Sequence, residues 1–175
     1  MSAPTVGTKL PELALYGDPT FIVSTAIATR DYQDVHHDRD KAQAKGSKDI
    51  FVNILTDTGL VQRYVTDWAG PNAVIKSIGL RLGVPWYAYD TVTFKGEVTG
   101  VDDGLVTVKV VGSNSLGDHV IATATLTLGG SCCPANCPVR PRSPGSVPPI
   151  SPRTRVAVSF AWPPRPCWPP LTMPA

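Results

Sequence analysis

The spacing of hydrophobic and polar residues changes along the first 130 residues of the chain. Residues 20–30, TFIVSTAIATR, are rich in β-branched residues, and this composition predicts a first strand. From Ser47 to Gly70 the apolar residues recur at steps of three and four, which predicts a helix of about 20 residues. Ser47 can cap its start, and Gly70 followed by Pro71 marks its end. The apolar stripe of this helix consists of Phe51, Ile54, Leu55, Thr58, Val61, Val65 and Trp68.

Four segments after this helix alternate apolar and polar residues with the period of a strand: residues 73–83, 90–101, 105–113 and 119–128. Asp102-Asp103-Gly104 indicates a hairpin, and the stretch from Ser113 to Gly117 indicates the next turn. The order of one strand, one long helix and four antiparallel strands predicts an α+β hotdog fold, in which one curved sheet wraps around the central helix. A single unit would leave one sheet edge uncovered, so we expect two units to join edge to edge.

The composition changes abruptly after Gly130. Thirteen of the 18 prolines fall within residues 131–175, together with five arginines and all four cysteines, but this segment contains no Asp, Glu or Lys. Proline removes backbone donors and breaks both helix and strand, so we expect a disordered tail in which only TRVAVSFAW has a strand-like pattern. A translated shifted reading frame is the favoured explanation, and a Pro-rich tail the alternative. The predicted division is a hotdog domain at 1–130 and a tail at 131–175.

Charge and cysteine content exclude several classes of function. The first 130 residues carry 11 basic and 14 acidic groups, a balance of 11 − 14 = −3, which does not favour nucleic-acid binding. The Cys-Cys-x-x-x-Cys spacing in the tail does not match a zinc site. The sequence contains no signal peptide and no apolar run near the roughly 18 residues of a membrane span, so a cytoplasmic protein is expected.

The run DYQDVHHDRD, residues 31–40, concentrates candidate chemistry in one loop. Asp31 and His36 are five residues apart with a predicted turn between them, so their side chains can converge on one point. Alternatively, Asp31 ends a strand or starts a turn. His37 to Asp40 are expected to be solvated, with Asp38 capping a short helix. No metal site is predicted, because adjacent histidines on an extended chain point to opposite sides.

The pattern Asp-x-x-x-Val-His-x-Asp-x-x-x-Ala, residues 31–42, resembles the signature of MaoC-like (R)-specific enoyl-CoA hydratases. Gln33 and Asp34 replace the Asn and Pro of that signature, whereas Val35 and His36 retain its apolar-His pair. The resemblance implies that Asp31 and His36 hold one water molecule. They would add it across the α,β double bond of an acyl-CoA, because a carboxylate and an imidazole can remove one proton and supply another.

The resemblance also implies an oxyanion donor early in the central helix. In the family a glycine N–H of a His-Gly pair binds the thioester oxygen, and the aligned residues are Val52 and Asn53. The expected donor here is the Asn53 backbone N–H, although a side chain at this position restricts the approach of the substrate. Val52 is expected to line the pocket.

Residues 47–100 look like the small MaoC-like subunits of heteromeric steroid enoyl-CoA hydratases from cholesterol-degrading bacteria. This implies a shortened steroid side chain on coenzyme A as the acyl group and a second MaoC-like hotdog subunit as the partner, with a homodimer as the alternative. Coenzyme A is then part of the substrate, and no separate cofactor is expected. Trp86 and Tyr87, within the cluster Trp86-Tyr87-Ala88-Tyr89, either line a broad apolar pocket or seal an interface.

Two other functions remain open at this point. A non-catalytic hotdog subunit would complete a partner's acyl-CoA site. An acyl-CoA thioesterase shares the fold and usually carries its carboxylate on the central helix, where Asp57 is the mid-helix candidate. We expect Asp57 to face solvent or an interface, and His119 to be a surface or edge histidine.

Overall fold

The computed structural model describes residues 4–128 and 155–158. Its helices and strands follow in the order β1 Leu13–Gly17, α1 Pro19–Ala28, a 3₁₀ turn Asp34–His36, α2 Arg39–Ala44, α3 Ile54–Ala69, β2 Val74–Leu82, β3 Asp90–Asp102, β4 Leu105–Asn114, β5 Gly117–Thr127 and β6 Arg155–Val158. The strands form one sheet in the order β1-β3-β4-β5-β2-β6. Apart from β6, this is the predicted hotdog architecture, with α3 as its central helix.

Strands β2 to β5 confirm the four predicted strand segments. Val92, Phe94 and Val98 of β3 are fully buried, while the polar residues between them face outward. The turn from β3 to β4 has positive φ at both central residues, 45° at Asp103 and 78° at Gly104, as a tight two-residue hairpin requires. The alternation of side chains therefore places one apolar sheet face against α3.

Helix α3 is shorter than predicted, with 16 residues, and begins at Ile54. Asn53 caps it by accepting a hydrogen bond from the Thr56 N–H at 3.1 Å, so the prediction of Ser47 as the cap is wrong. Ser47 instead donates its hydroxyl to the Asp49 carbonyl. Residues 50–52 are extended because their backbone groups bond to residues 86–88. The helix therefore begins after residue 52. The predicted end at Gly70 is confirmed, with φ at 85°.

The predicted strand at residues 20–30 is wrong, because residues 19–28 form α1. Asp18 caps this helix by accepting the Phe21 N–H at 2.7 Å, and Pro19 occupies its first turn with a fixed φ suited to a helix. The Thr25 and Thr29 hydroxyls donate to carbonyls four residues earlier, at 2.8 Å each. The first strand, β1, lies upstream and pairs antiparallel with β3.

Strand β6 pairs in parallel with β2 through Ser77 to Leu80 and lies at the edge of the sheet. It falls within TRVAVSFAW, the one strand-like stretch of the predicted tail. The predicted disorder of the other residues of 131–175 lies outside the described residues, and the boundary at 130 stays a prediction. Within the described ranges, no helix is long and apolar enough to cross a membrane.

Candidate active site

Asp31 is positioned by the end of α1. Arg30 adopts the left-handed conformation with φ at 59°, and the Asp31 N–H reaches back to the Ala26 carbonyl at 2.9 Å. These two features form a Schellman-type helix end, which turns the chain sharply away from the helix axis. The Asp31 carboxylate therefore projects from a helix end; the alternative that it ends a strand is wrong.

His36 occupies the 3₁₀ turn and is 6% exposed. Its Nδ1 lies 2.7 Å from the carbonyl oxygen of Phe51, and a carbonyl can only accept a hydrogen bond. Nδ1 therefore carries a proton, and in the neutral ring Nε2 carries the free lone pair. Nε2 lies 3.4 Å from Asp31 Oδ2, so the fold brings the predicted pair together.

Asn53 fixes the carboxylate of Asp31 with its side chain. Its Nδ2 donates to Asp31 Oδ2 at 3.1 Å and to Thr29 Oγ1 at 2.8 Å, while Oδ1 caps α3. The predicted role concerned only the backbone N–H, so the side-chain contact was missed. An Asn immediately before an amphipathic helix is a cap signal that could have indicated an ordered side chain here. The backbone N–H of Asn53 stands at the start of α3, where first-turn N–H groups lack intrahelical acceptors.

A cavity of about 440 Å³ opens beside this pair. Its polar wall includes Asp31, His36, Asn53 and His119, and its apolar wall includes Phe51 and Val52, with further lining from the loop after β2.

Trp86 and Tyr87 are not among the residues that line this cavity. Trp86 is fully buried, donates its indole N–H to the Asp90 carbonyl at 3.0 Å and accepts the Val52 N–H at 3.0 Å. Tyr87 packs edge-on against Phe51, with ring centroids 6.3 Å apart. The two aromatic residues thus support the extended segment 50–52 from behind.

A second histidine–carboxylate pair lies in the same region and corrects two predictions. His119 is 1% exposed and Asp57 is 0% exposed, so neither faces solvent. His119 Nε2 lies 3.0 Å from Asp57 Oδ1, and its Nδ1 lies 2.7 Å from the Val84 carbonyl oxygen. His119 is buried because the loop 83–86 folds over the start of β5, where Gly83 donates to the His119 carbonyl. Asp57 lies on the face of α3 that packs against the sheet.

The contacts of His119 favour its charged form. Burial lowers the pKa of His119, but the hydrogen bond and charge of Asp57, the Val84 carbonyl and the charge of Asp90 together outweigh burial and raise it. Both ring nitrogens face oxygen atoms that can accept a hydrogen bond, so an imidazolium satisfies both contacts. Sequence reasoning missed this pair because its members are 62 residues apart.

Asp34, His37 and Asp38 of the loop contact groups other than Asp31 and His36. Asp38 caps α2 by accepting the Lys41 N–H at 3.0 Å, as predicted. His37 points toward Asp34 at 4.0 Å, and the hydrogen bond from Lys45 lowers the pKa of Asp34. Within the part of the chain that the structure describes, no three His, Cys, Asp or Glu side chains are grouped as metal ligands would be.

The fold and sequence of this chain are similar to those of known proteins. It is 82% identical to the 3-oxo-4,17-pregnadiene-20-carboxyl-CoA hydratase beta subunit of Mycobacterium tuberculosis, over 126 residues that make up 72% of this chain and 98% of that protein. A chain in the crystal structure of the ChsH1–ChsH2 complex from Mycobacterium tuberculosis superposes with a TM-score of 0.71 at 82% identity, over 72% of this chain and 99% of that one.

More distant likeness concerns the fold alone. The (R)-hydratase from A. caviae involved in PHA biosynthesis superposes with a TM-score of 0.67 at 19% identity, over 73% of this chain and 99% of that chain. No protein-family model matches the sequence. The high identity over nearly the whole length of a curated relative nevertheless establishes the family. The chain belongs to the family of the CoA hydratase beta subunit to which it is 82% identical, an enzyme family of the hydro-lyase class, and it has the hotdog fold of the MaoC-like (R)-hydratases.

Proposed function

We propose that this chain hydrates the α,β double bond of a steroid side-chain enoyl-CoA and that Asp31 and His36 are its catalytic residues. The observation that carries the proposal is the position of both side chains on the wall of one cavity, 3.4 Å apart. Asp57, the alternative carboxylate of a thioesterase, does not line that cavity and is bonded to His119. A hydratase therefore fits the site better than a thioesterase.

The contacts of His36 support this proposal. Because His36 Nδ1 donates to the Phe51 carbonyl, the neutral ring presents a lone pair at Nε2. A water molecule on the cavity side, hydrogen-bonded to both Nε2 and the Asp31 carboxylate, would have its oxygen directed at the β-carbon. One of the two groups takes a proton as the C–O bond forms, and one proton is delivered to the α-carbon, so H and OH together make up one water.

The thioester oxygen gains negative charge while the α-carbon is still unprotonated. The Asn53 backbone N–H stands at the N-terminus of α3, where the helix dipole is positive and anions are favoured. We assign the oxyanion contact to this N–H. Val52 and Phe51 provide apolar surface beside it for the acyl group.

The substrate and partner rest on the curated relative. A protein 82% identical to this chain is named as the beta subunit of a 3-oxo-4,17-pregnadiene-20-carboxyl-CoA hydratase, and a beta subunit implies a second subunit. We propose the same class of steroid acyl-CoA here and a second MaoC-like hotdog subunit as the partner. Coenzyme A belongs to the substrate, so no separate cofactor is required.

The decisive experiment follows the loss of the conjugated enoyl absorbance. A steroid-type and a short-chain enoyl-CoA are each mixed with this chain alone and with a MaoC-like partner subunit. We expect hydration of the steroid substrate that depends on the partner, and a loss of about 10²- to 10⁴-fold in kcat for Asp31→Asn. Turnover of Asp31→Asn within a few-fold of wild type would contradict the catalytic assignment. No turnover in any mixture would favour a non-catalytic subunit.

A further inference from the structure

The buried pair Asp57–His119 is built into the wall of the proposed active site. His119 lines the cavity together with Asp31 and His36, while Asp57 lies directly behind it with no exposed surface. Each nitrogen of the His119 ring is bonded, at 3.0 Å to Asp57 and at 2.7 Å to the Val84 carbonyl. The ring therefore has no free nitrogen to react with a substrate, and its role must be exerted through other residues.

Stability alone is a weak reason for this arrangement. Two ionised groups lose their hydration on burial, and apolar residues of similar volume often stabilise a core as well or better. The second oxygen of the Asp57 carboxylate, Oδ2, is buried with no hydrogen-bond partner among the described residues, which adds a further cost. A costly pair in a cavity wall indicates a functional demand on geometry.

The contacts of the pair identify what it holds. Val84 belongs to the loop 83–86, whose residues 83–85 line the cavity and which bonds to β5 through Gly83 and Val84. A Cβ at position 83 would lie 2.3 Å from the Asp118 carbonyl oxygen. Only glycine at this position therefore allows the loop to approach β5 so closely. The imidazole of His119 thus connects this loop to α3.

Asp57 and Asn53 lie one helical turn apart at the start of α3, joined by the hydrogen bond from the Asp57 N–H to the Asn53 carbonyl at 3.2 Å. Asn53 in turn donates to Asp31 Oδ2. The first turn of α3 is therefore bonded to Asp31 through Asn53 and to His119 through Asp57. A shift of this turn would move the Asp31 carboxylate and the Asn53 N–H together.

We propose that His119 and Asp57 are positioning residues for the hydration reaction. Their pair fastens the loop 83–86 to the first turn of α3 and thereby holds Asn53 in place. Asn53 then keeps the Asp31 carboxylate and the oxyanion donor in register with the substrate. This inference rests on the proposed hydratase function and deepens it, because it assigns the second pair to the same site.

The test compares Asp57→Asn with Asp57→Ala in whichever assembly of the full chain hydrates an enoyl-CoA. An Asn amide can donate to the Nε2 lone pair of a neutral His119 while Nδ1 still bonds to Val84, so the connection survives. We expect kcat of Asp57→Asn within about threefold of wild type, and a loss of about 10- to 100-fold in kcat for Asp57→Ala with little change in KM. His119→Gln, which can reach only one of the two acceptors, should fall between them.

Val98→Ala serves as the matched control. Val98 is fully buried in β3 and does not line the cavity, so this variant should lose thermal stability while kcat stays unchanged. If Asp57→Ala and His119→Gln lose no more kcat than Val98→Ala does, the positioning role is overturned while the hydratase function stands. If wild type fails to hydrate any substrate, the proposed function itself fails.

A spectroscopic readout covers the case in which Asp57→Ala does not fold. In protein labelled with ¹⁵N-histidine, we expect two bonded ring N–H protons on His119 in wild type and one in Asp57→Asn. A His119 ring with no hydrogen-bonded N–H proton in wild type would contradict the contacts to Asp57 and Val84 on which the inference is built.

Discussion

Both histidine–carboxylate pairs of this protein place their histidine on the wall of one cavity. They differ in how many nitrogen atoms of the imidazole ring are held by a close hydrogen bond. In the pair Asp31–His36 the nitrogen and oxygen are 3.4 Å apart, and the side chains are 17% and 7% exposed. In the pair Asp57–His119 the distance is 3.0 Å and the exposure is 0% and 2%. His36 has one nitrogen fixed by a carbonyl and one facing Asp31, whereas both nitrogens of His119 are fixed.

This difference shows how two pairs of the same residue types can be suited to different roles, one to proton transfer and one to holding other residues in position. A pair that is long, partly exposed and open on one nitrogen can admit a water molecule and exchange protons with it. A pair that is short, buried and fully bonded on its imidazole can transmit position but has no group left for a substrate. Four predictions follow from the contrast, in order of decreasing effect.

Removing the imidazole that we propose to be catalytic should cost activity and little stability. For His36→Ala we expect a fall of about 10²- to 10⁴-fold in kcat, because the proton acceptor and donor at Nε2 is lost. The melting temperature should change far less than in variants of the buried pair. Enoyl absorbance and thermal unfolding of the same preparation measure both quantities. A variant that unfolds at room temperature would contradict the division between the pairs.

Breaking the buried pair should cost far more stability than removing the His36 imidazole does. Asp57→Leu leaves the His119 ring without its counter-charge, and the loss of one partner from a buried ion pair costs about 3–5 kcal/mol in the free energy of unfolding. Denaturant titration measures this loss. Asp31→Asn is the control, because it retains the shape of a side chain that lies at the cavity surface. Equal losses for the two variants would erase the contrast.

The stability of wild type should depend on pH through His119. The pKa of His119 is raised in the folded protein above its ordinary value of 6.5, so its contribution is fully present below about pH 6.5 and is lost as pH rises through the folded pKa. We expect the melting temperature to fall across this interval in wild type. Asp57→Asn, with a neutral His119, should show a flatter curve. Parallel curves for the two proteins would contradict the charged state of the pair.

Removal of residues 131–175 should have the smallest effect on either pair. Strand β6 bonds to residues 77–80 of β2, none of which belongs to either pair. A chain ending at residue 130 loses the pairing of β6 with β2, so we expect its melting temperature to fall by only a few degrees and its kcat to stay unchanged. A loss of kcat as large as that of Asp57→Ala would show that residues 131–175 support the site.

The sheet and the reactive pair could be predicted from the sequence to different extents. Strands β2 to β5 followed from alternation, because their buried residues recur at every second position. Helix α1 was missed because β-branched residues outweighed the Asp18-Pro19 signal, although the Asp cap and the proline decide the local conformation. The pair Asp31–His36 was accessible because both residues lie in one short signature.

The second pair could not be predicted, because its geometry arises from packing. Asp57 and His119 are joined only when β5 is laid beside β2 and the loop 83–86 closes over it, and no local pattern encodes a contact across 62 residues. The side-chain role of Asn53 has the same origin, since its partner Asp31 is 22 residues away.

The parallel pairing of β6 with β2 has a consequence for association equilibria. A strand tethered to the same chain has an effective concentration at residues 77–80 that does not fall on dilution. A strand from a second molecule must displace it before it can bond to that part of the sheet edge, and so competes at a disadvantage set by the tether. Dilution would weaken such an intermolecular contact but leave the internal one intact, so a partner subunit bonds to residues 77–80 only after β6 has left that edge.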